Sequence, residues 1–331
     1  MQRLIACLLM LAAGTAPLRA EEDDPDQELG FQVVRARDAD LEVRLDAVQA
    51  LGRLERAKEF RALGFPVLRE ALGDASPAVR KAAVLSLGAT AVRLDPDAVA
   101  GLTAALGDAD LGVRAAAAAA LGRCGSAAIP AVPALAKALR DRSPAVREVA
   151  ATALGTLGPV ARPALPALLE ALRDLDDRLG SAAAVALAKL GEDAVDPLIA
   201  LLGDQESAIA TRACDALREL REQAAPAVPA LVAAIGGKDP HLRRSAVWTL
   251  SGVGPAAKDA LAALTGALRD PDAETRHGAV RALGHLGPDA RSAASELAAL
   301  AEKDPEERIR FAAIAALKHV GMPEEDGEAG D

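Results

Sequence analysis

The residues able to do chemistry in this sequence are few. His241, His277, His285 and His319 are its four histidines. None has a Cys or carboxylate at a spacing that completes a set of metal ligands, so all four read as surface groups. Asp174-Leu175-Asp176-Asp177 has the acidity of a calcium loop. It lacks the Gly and the later Glu that such a loop needs for its turn and its bidentate ligand, and it reads as a structural connection. Cys124 and Cys214 stand at positions otherwise held by Leu, Val, Ala or Ile, where a thiol serves as a small core hydrophobe. No nucleophile elbow, phosphate loop, haem-attachment or zinc-protease motif is present, so catalysis has no residue support and no cofactor is expected. One combination points to binding. Trp248 is the sole Trp, Arg244 precedes it by one helical turn, and His277 and Arg281 hold matching positions further along. Exposed Trp and Arg are typical anchors of protein contacts.

Composition says what must position these groups. Hydrophobic residues make up 51% of 331, yet there are four Phe, one Trp and no Tyr, while 81 residues are Ala. Ala favours helices over strands, so the expectation is an all-α chain packed through small faces. The net charge of −10 disfavours binding to a phosphate backbone. Scarce aromatics remove the stacking platforms used for single strands. Nucleic acid is therefore not an expected partner.

Residues 1–20, MQRLIACLLMLAAGTAPLRA, have an early Arg, a short apolar run and small residues before the end. That is the layout of an export signal, with cleavage after Ala20. An apolar run of ten is too short to span a bilayer, which takes about 20 residues, so stable membrane insertion is not expected. Residues 21–25 read as an acidic linker and 322–331 as an acidic, unstructured tail. The mature chain is expected in the periplasm or outside the cell.

Between them, residues 26–321 repeat. Leu51, Leu87, Leu121, Leu154, Leu187, Leu217, Leu250, Leu283 and Leu317 are separated by 36, 34, 33, 33, 30, 33, 33 and 34 residues. Four positions before each stands an Ala, from Ala47 to Ala313, without exception. A column that accepts only Ala is one where two helix backbones meet. Seven positions before each Leu the column reads Arg44, Arg80, Arg114, Arg147, Gly180, Ala210, Arg243, Arg276 and Arg310. Six further back it reads Asp38, Asp74, Asp108, Asp141, Asp174, Asp204, Gly237, Asp270 and Asp304. An Asp there can cap a helix, and the Arg can bridge to carboxylates of its own or the adjacent repeat, so a polar ladder is expected beside the apolar core. Apolar positions at −8, −4, −3, −1, 0 and +3 mark one face of a helix. A Gly-Pro break and a second apolar helix follow, giving a two-helix hairpin that only its neighbours can cover. Cys124 and Cys214 lie three repeats apart, about 30 Å at helix spacings, too far for a disulfide.

The recurring text A-x-x-A-L-G-x-L-G-x-x-A-x-P-A-L resembles HEAT repeats of the short, phycobilin-lyase-like type, over about Asp26 to Gly321. The resemblance implies an α-α superhelix of about nine hairpins that acts as a protein-binding scaffold, here monomeric. A solenoid binding a small ligand or glycan is the alternative, weakened by the missing aromatic platforms. The family's deoxyhypusine hydroxylases hold iron through His-Glu pairs, and no His here precedes Glu. Bilin lyases work inside the cell, whereas this chain begins with an export signal. In the family the second helices line the concave face, and there the charges concentrate at Lys137, Arg140, Glu170 and Arg173, a second candidate contact surface. Phe31, Phe60, Phe65 and Phe311 fall at the two ends, where they are expected to close the core. Missing ladder residues at Gly180, Ala210 and Gly237 lead us to expect a soft point between Asp174 and Arg243.

Overall fold

The computed structural model describes residues 25–54, 60–90 and 96–321. The stretches expected to be an export signal and an acidic tail, and most of the expected linker, lie outside the described residues. Among the described residues there is no strand. The chain forms two compact bodies, Met1–Leu168 and Leu169–Asp331.

In the first body, the first helices of the hairpins are α2 (Leu41–Leu51), α4 (Pro77–Thr90), α6 (Leu111–Gly122) and α8 (Pro144–Leu157). The second helices are α1 (Pro25–Arg35), which leads as a half-hairpin, α3 (Phe60–Ala71), α5 (Pro96–Ala105) and α7 (Val132–Ala138). The division between bodies falls inside α9 (Leu165–Leu172). In the second body, first helices α10 (Asp177–Leu190), α12 (Ser207–Leu220), α14 (Pro240–Val253), α16 (Ala273–Leu286) and α18 (Glu307–Val320) alternate with second helices. These are α11 (Val195–Leu201), α13 (Val228–Ile235), α15 (Leu261–Ala267) and α17 (Ala294–Lys303). Several first helices stop where the residue four past the repeat Leu takes a positive φ, at Gly158, Gly191, Gly254 and Gly287. Only glycine adopts that conformation cheaply. A 3-10 turn such as Gly254–Ala260 then carries the chain into the second helix.

The Ala and Leu columns are the core. Ala47, Ala83, Ala117, Ala150, Ala183, Ala213, Ala246, Ala279 and Ala313 are fully buried, as is every repeat Leu from Leu51 to Leu283. Burial pushes the Cys214 thiol up to about 12, so it stays protonated and inert in the packed interior.

The ladder exists, with a division of labour that the spacing alone did not reveal. Arg44, Arg80, Arg114, Arg243 and Arg276 each fork onto the Asp of the following repeat, namely Asp74, Asp108, Asp141, Asp270 and Asp304, with Nε–Oδ2 distances of 2.7–2.8 Å. The remaining guanidinium nitrogen turns back to the chain's own connection. Arg114 Nη1, for example, donates to the Asp108 and Ala109 carbonyls. Arg147 reaches the Asp141 carbonyl and Arg310 the Asp304 carbonyl in the same way. The ladder Asp is not the helix cap. Its Oδ1 accepts the N–H two residues on, as Asp141 does from Ser143. The cap, where one forms, is a second Asp two positions later: Asp40, Asp110, Asp176, Asp239 or Asp272. One Asp thus tightens the turn and receives the neighbour, while another satisfies the helix amides.

The departures in the second body are partly repaired. Ala210 and Gly237 are the two halves of one rung, so both are lost together and neither leaves an orphaned charge. At Gly180 the missing guanidinium is supplied from the next repeat. Arg212 of α12 reaches back to the Leu172 and Asp174 carbonyls at 2.7 and 2.9 Å and to Asp177 at 2.5 Å. A Cβ on Gly180 would lie 2.5 Å from that guanidinium carbon, so the small residue makes room for the substitute. Ser207 Oγ also donates to Asp239 across the empty rung. The segment keeps cross-repeat bonds where the column pattern implied their loss.

Phe60 and Phe65 pack edge to face at 5.5 Å inside α3, and Phe31 lies beneath Arg35 on α1. Phe60 and Phe65, both buried, fit the closing role expected of them, whereas Phe31 is half-buried. Phe311 does not fit it, being 63% exposed. It is on the side of α18 that would face a further repeat, and no described helix follows.

Two glycines test how closely the hairpins approach. A Cβ on Gly122 would sit 2.8 Å from Ala153 Cα and 3.0 Å from its Cβ, so α6 and α8 meet backbone to backbone. Around Gly266 of α15 no heavy atom lies within 4 Å of the corresponding point. Helix propensity favours Ala over Gly by up to about 1 kcal/mol at both, but overpacking costs about 1–3 kcal/mol at the first. Gly266→Ala should raise the urea midpoint and Gly122→Ala should lower it. A stabilised Gly122→Ala would show that the α6–α8 contact is looser than described.

Candidate partner-binding groove

Trp248 occupies the position two before the repeat Leu on α14, outside the apolar face. There it meets α16. The Arg281 guanidinium lies over the indole at 5.3 Å from the ring centroid, and His277 stands edge-on at 5.5 Å. Gly278 lets this happen, since its missing side chain leaves room for the indole and Val247. His277 is half-buried, and burial, together with nearby Arg308, pushes its pKa down, so the ring is neutral at pH 7.

Arg244 does not join this cluster. It forks onto the Asp272 carboxylate at 2.7 and 3.0 Å. Those bonds, with the Thr275 hydroxyl and N–H, outweigh burial and hold Asp272 down to about 2. Arg244 is therefore a second, outer rung, and its charge is spent within the fold.

Four residues that the sequence did not assign to a binding site, Arg218, Glu219, Arg221 and His285, complete it. Trp248 forms part of a groove of about 510 Å³ whose lining includes Arg218, Arg221, Arg281 and His285. Arg218 pairs with Asp215 at 3.1 Å, and Glu219 also lines the groove. His285 Nδ1 lies 2.8 Å from the Ser251 carbonyl oxygen and donates to it, so the ring is anchored and not simply solvated. Arg221 and Arg281 have no ion pair among the described residues, and they leave the groove cationic in a chain of net charge −10.

Arg221 is unusual for its backbone as well. It has φ 54° and ψ −127°, the conformation that Gly158, Gly191, Gly254 and Gly287 adopt at the same place in their repeats. It is the one non-glycine residue with positive φ among the described residues. A side chain there costs about 1–3 kcal/mol. Extending the repeat register four positions past each Leu would have exposed it, because from the third repeat onward Arg221 interrupts a column otherwise of Gly.

The second candidate surface is less coherent. Lys137 and Arg140 are exposed in the first body, and Glu170 and Arg173 in the second. Arg173 lies 3.7 Å from Asp204 in the connection of the next repeat, which draws it away from a free surface. In the first body an apolar groove of about 800 Å³ is lined by residues including Val99, Thr103, Ile129 and Pro130, with no charged group to fix a ligand's orientation. Among the described residues no three of His, Cys, Asp and Glu gather to hold a metal ion, and no helix is long and apolar enough to cross a membrane.

Stacked two-helix hairpins with a recurring Ala contact and an Arg–Asp rung define an α-solenoid repeat class. The model for HEAT repeats matches residues 31–122, 65–154, 99–188, 132–218, 165–251, 195–271 and 261–326, and the chain belongs to the HEAT-repeat family. No curated protein matches the sequence. Among solved structures, a karyopherin, Kap121p, bound to the extreme C-terminus of the protein phosphatase Cdc14p, aligns with TM-score 0.66 and 15% identity over 96% of this chain and 40% of its own. Kap95p, solved with RanGDP, aligns with TM-score 0.65 and 12% identity over 96% of this chain and 49% of its own. The chain thus spans half or less of the length of these two proteins, and the likeness is one of fold. The CpcE and CpcF phycocyanin lyase of Nostoc sp. PCC7120 shows a looser likeness, TM-score 0.42 and 22% identity, over 46% of this chain and 98% of that one.

Proposed function

We propose that this HEAT-repeat chain is an exported, non-catalytic scaffold that holds a protein partner, and that the partner presents an acidic segment to the Trp248 groove. The observation that carries the reading is Arg221. A guanidinium is kept at a point where the backbone calls for glycine, beside an aromatic ring and a second uncommitted Arg. Strain held at an exposed, chemically suited position is the signature of a residue retained for contact and not for folding. The ring quadrupole and two forked donors match a carboxylate-bearing segment with an apolar or aromatic neighbour. Export rests on the leader, and the solenoid fold supplies the scaffold. A sugar would need an open aromatic face, and Arg281 covers one face of the indole.

Binding and stability should therefore move in opposite directions in one variant. Arg221→Gly should raise thermal stability by about 1–2 kcal/mol while weakening capture of the partner from the exported fraction by tenfold or more. Trp248→Ala with Arg281→Glu should abolish capture at unchanged helix content. Equal capture by wild type and both variants would defeat the reading.

A further inference from the structure

The end of the second body carries a separate signal. Three positions before the repeat Leu, the column reads Val48, Val84, Ala118, Ala151, Ala184, Cys214, Val247 and Val280, each no more than 4% exposed. Its last member, Ile314 on α18, is 45% exposed, and Phe311 beside it is 63% exposed. Ile314 thus stands in water at a position that the architecture elsewhere buries, with the large apolar Phe311 exposed beside it. The flanking residues on the same stripe are Glu307 and Lys318, both exposed and without an ion pair among the described residues. Glu307, Phe311, Ile314 and Lys318 are spaced four, three and four apart, which keeps them on one face of a helix.

That stripe is complementary to itself. If two copies of α18 lie antiparallel about a two-fold axis between Ala312 and Ala313, Phe311 of each faces Ile314 of the other. Glu307 of each then faces Lys318 of the other. The exposed Ala315 beside the stripe leaves room for close approach. The chain's own tail is a poor cover. Residues 322–331 contain Glu324, Glu325, Asp326, Glu328 and Asp331, with Met322 the one large apolar side chain. We infer that the exposed face of α18 is a two-fold interface through which this chain pairs with a second copy of itself. An isologous contact of this kind closes after two subunits. It differs from the monomer expected from sequence and does not depend on the Trp248 groove.

Sedimentation equilibrium of the mature chain, at concentrations spanning two decades, tests this. A monomer–dimer equilibrium is expected. Phe311→Glu should shift it to monomer with unchanged circular dichroism, since that side chain is exposed. Glu307→Lys and Lys318→Glu should each weaken the dimer by tenfold or more through like-charge contacts, and the double exchange should restore it. A monomer at every concentration would overturn the inference, as would a dimer indifferent to Phe311→Glu. Failure of the double exchange to restore pairing would remove the antiparallel contact. A strictly monomeric chain that loses a different protein upon Phe311→Glu would assign the face to that protein instead.

Discussion

Replacing Arg114 by Ala is expected to cost about 3 kcal/mol, because it strands a nearly buried carboxylate. Arg114 is 5% exposed and forks onto Asp141 with both contacts under 3 Å. It also satisfies two carbonyls of its own connection. Removing it leaves Asp141 charged, largely desolvated and without its cation. A surface ion pair of the same length would be worth under about 1 kcal/mol, so the burial decides the size of the effect. Arg114→Met combined with Asp141→Asn should recover much of the loss, because the carboxylate no longer needs a partner and Asn still accepts the Ser143 N–H. Repeats interact chiefly with their neighbours, so hydrogen exchange should rise in α6 and α8 and remain unchanged in α16 and α18. A loss spread evenly over both bodies would show that the rung is not a local tie.

The same rungs set the response to acid. Asp108 is held below its ordinary value chiefly by the Arg80 guanidinium. At Asp74, Asp141 and Asp304, burial alone pushes upward, but the forked Arg and the turn N–H outweigh it. Asp272, forked by Arg244, is held down to about 2. Since each folded value lies below the unfolded one, their stabilisation is complete above about pH 4, the ordinary carboxylate range. It declines as pH falls and is gone below the folded values. Asp272 alone accounts for about 2 kcal/mol across that window. Stability to urea should therefore decline slightly from pH 7 to 5, where the unfolded chain protonates His277 more readily than the fold does, and drop steeply between about pH 4 and 2. Asp272→Asn should be less stable at pH 7 and lose less on acidification. A flat profile down to pH 2 would mean the carboxylates are not paired in solution.

The solenoid was legible because the Ala and Leu columns are strict, and a position that tolerates only Ala states its own close contact. The ladder was legible as residue types but not as roles. Two Asp residues two positions apart look equivalent in text, and only the turn geometry separates the one that receives a neighbour from the one that caps. Arg212 was hidden because it lies two residues off the Arg column and acts in the reverse direction. Trp248, His277 and Arg281 could be brought together by register, since all three lie on first helices of adjacent repeats. Arg244 shares that register yet is claimed by Asp272. Arg218 and His285 were out of reach, because the groove joins the ends of three helices. Phe311 misled for a different reason. Composition places bulky residues at the ends of a repeat array, but says nothing of whether they face inward.

The direct measurement is photocrosslinking in the producing cell, with a photoreactive residue placed in turn at position 221, 281 or 137. The Trp248 groove predicts one discrete protein adduct from 221 and from 281, absent from 137 and lost when Trp248→Ala is added. An adduct from 137 with none from 221 or 281 would contradict it.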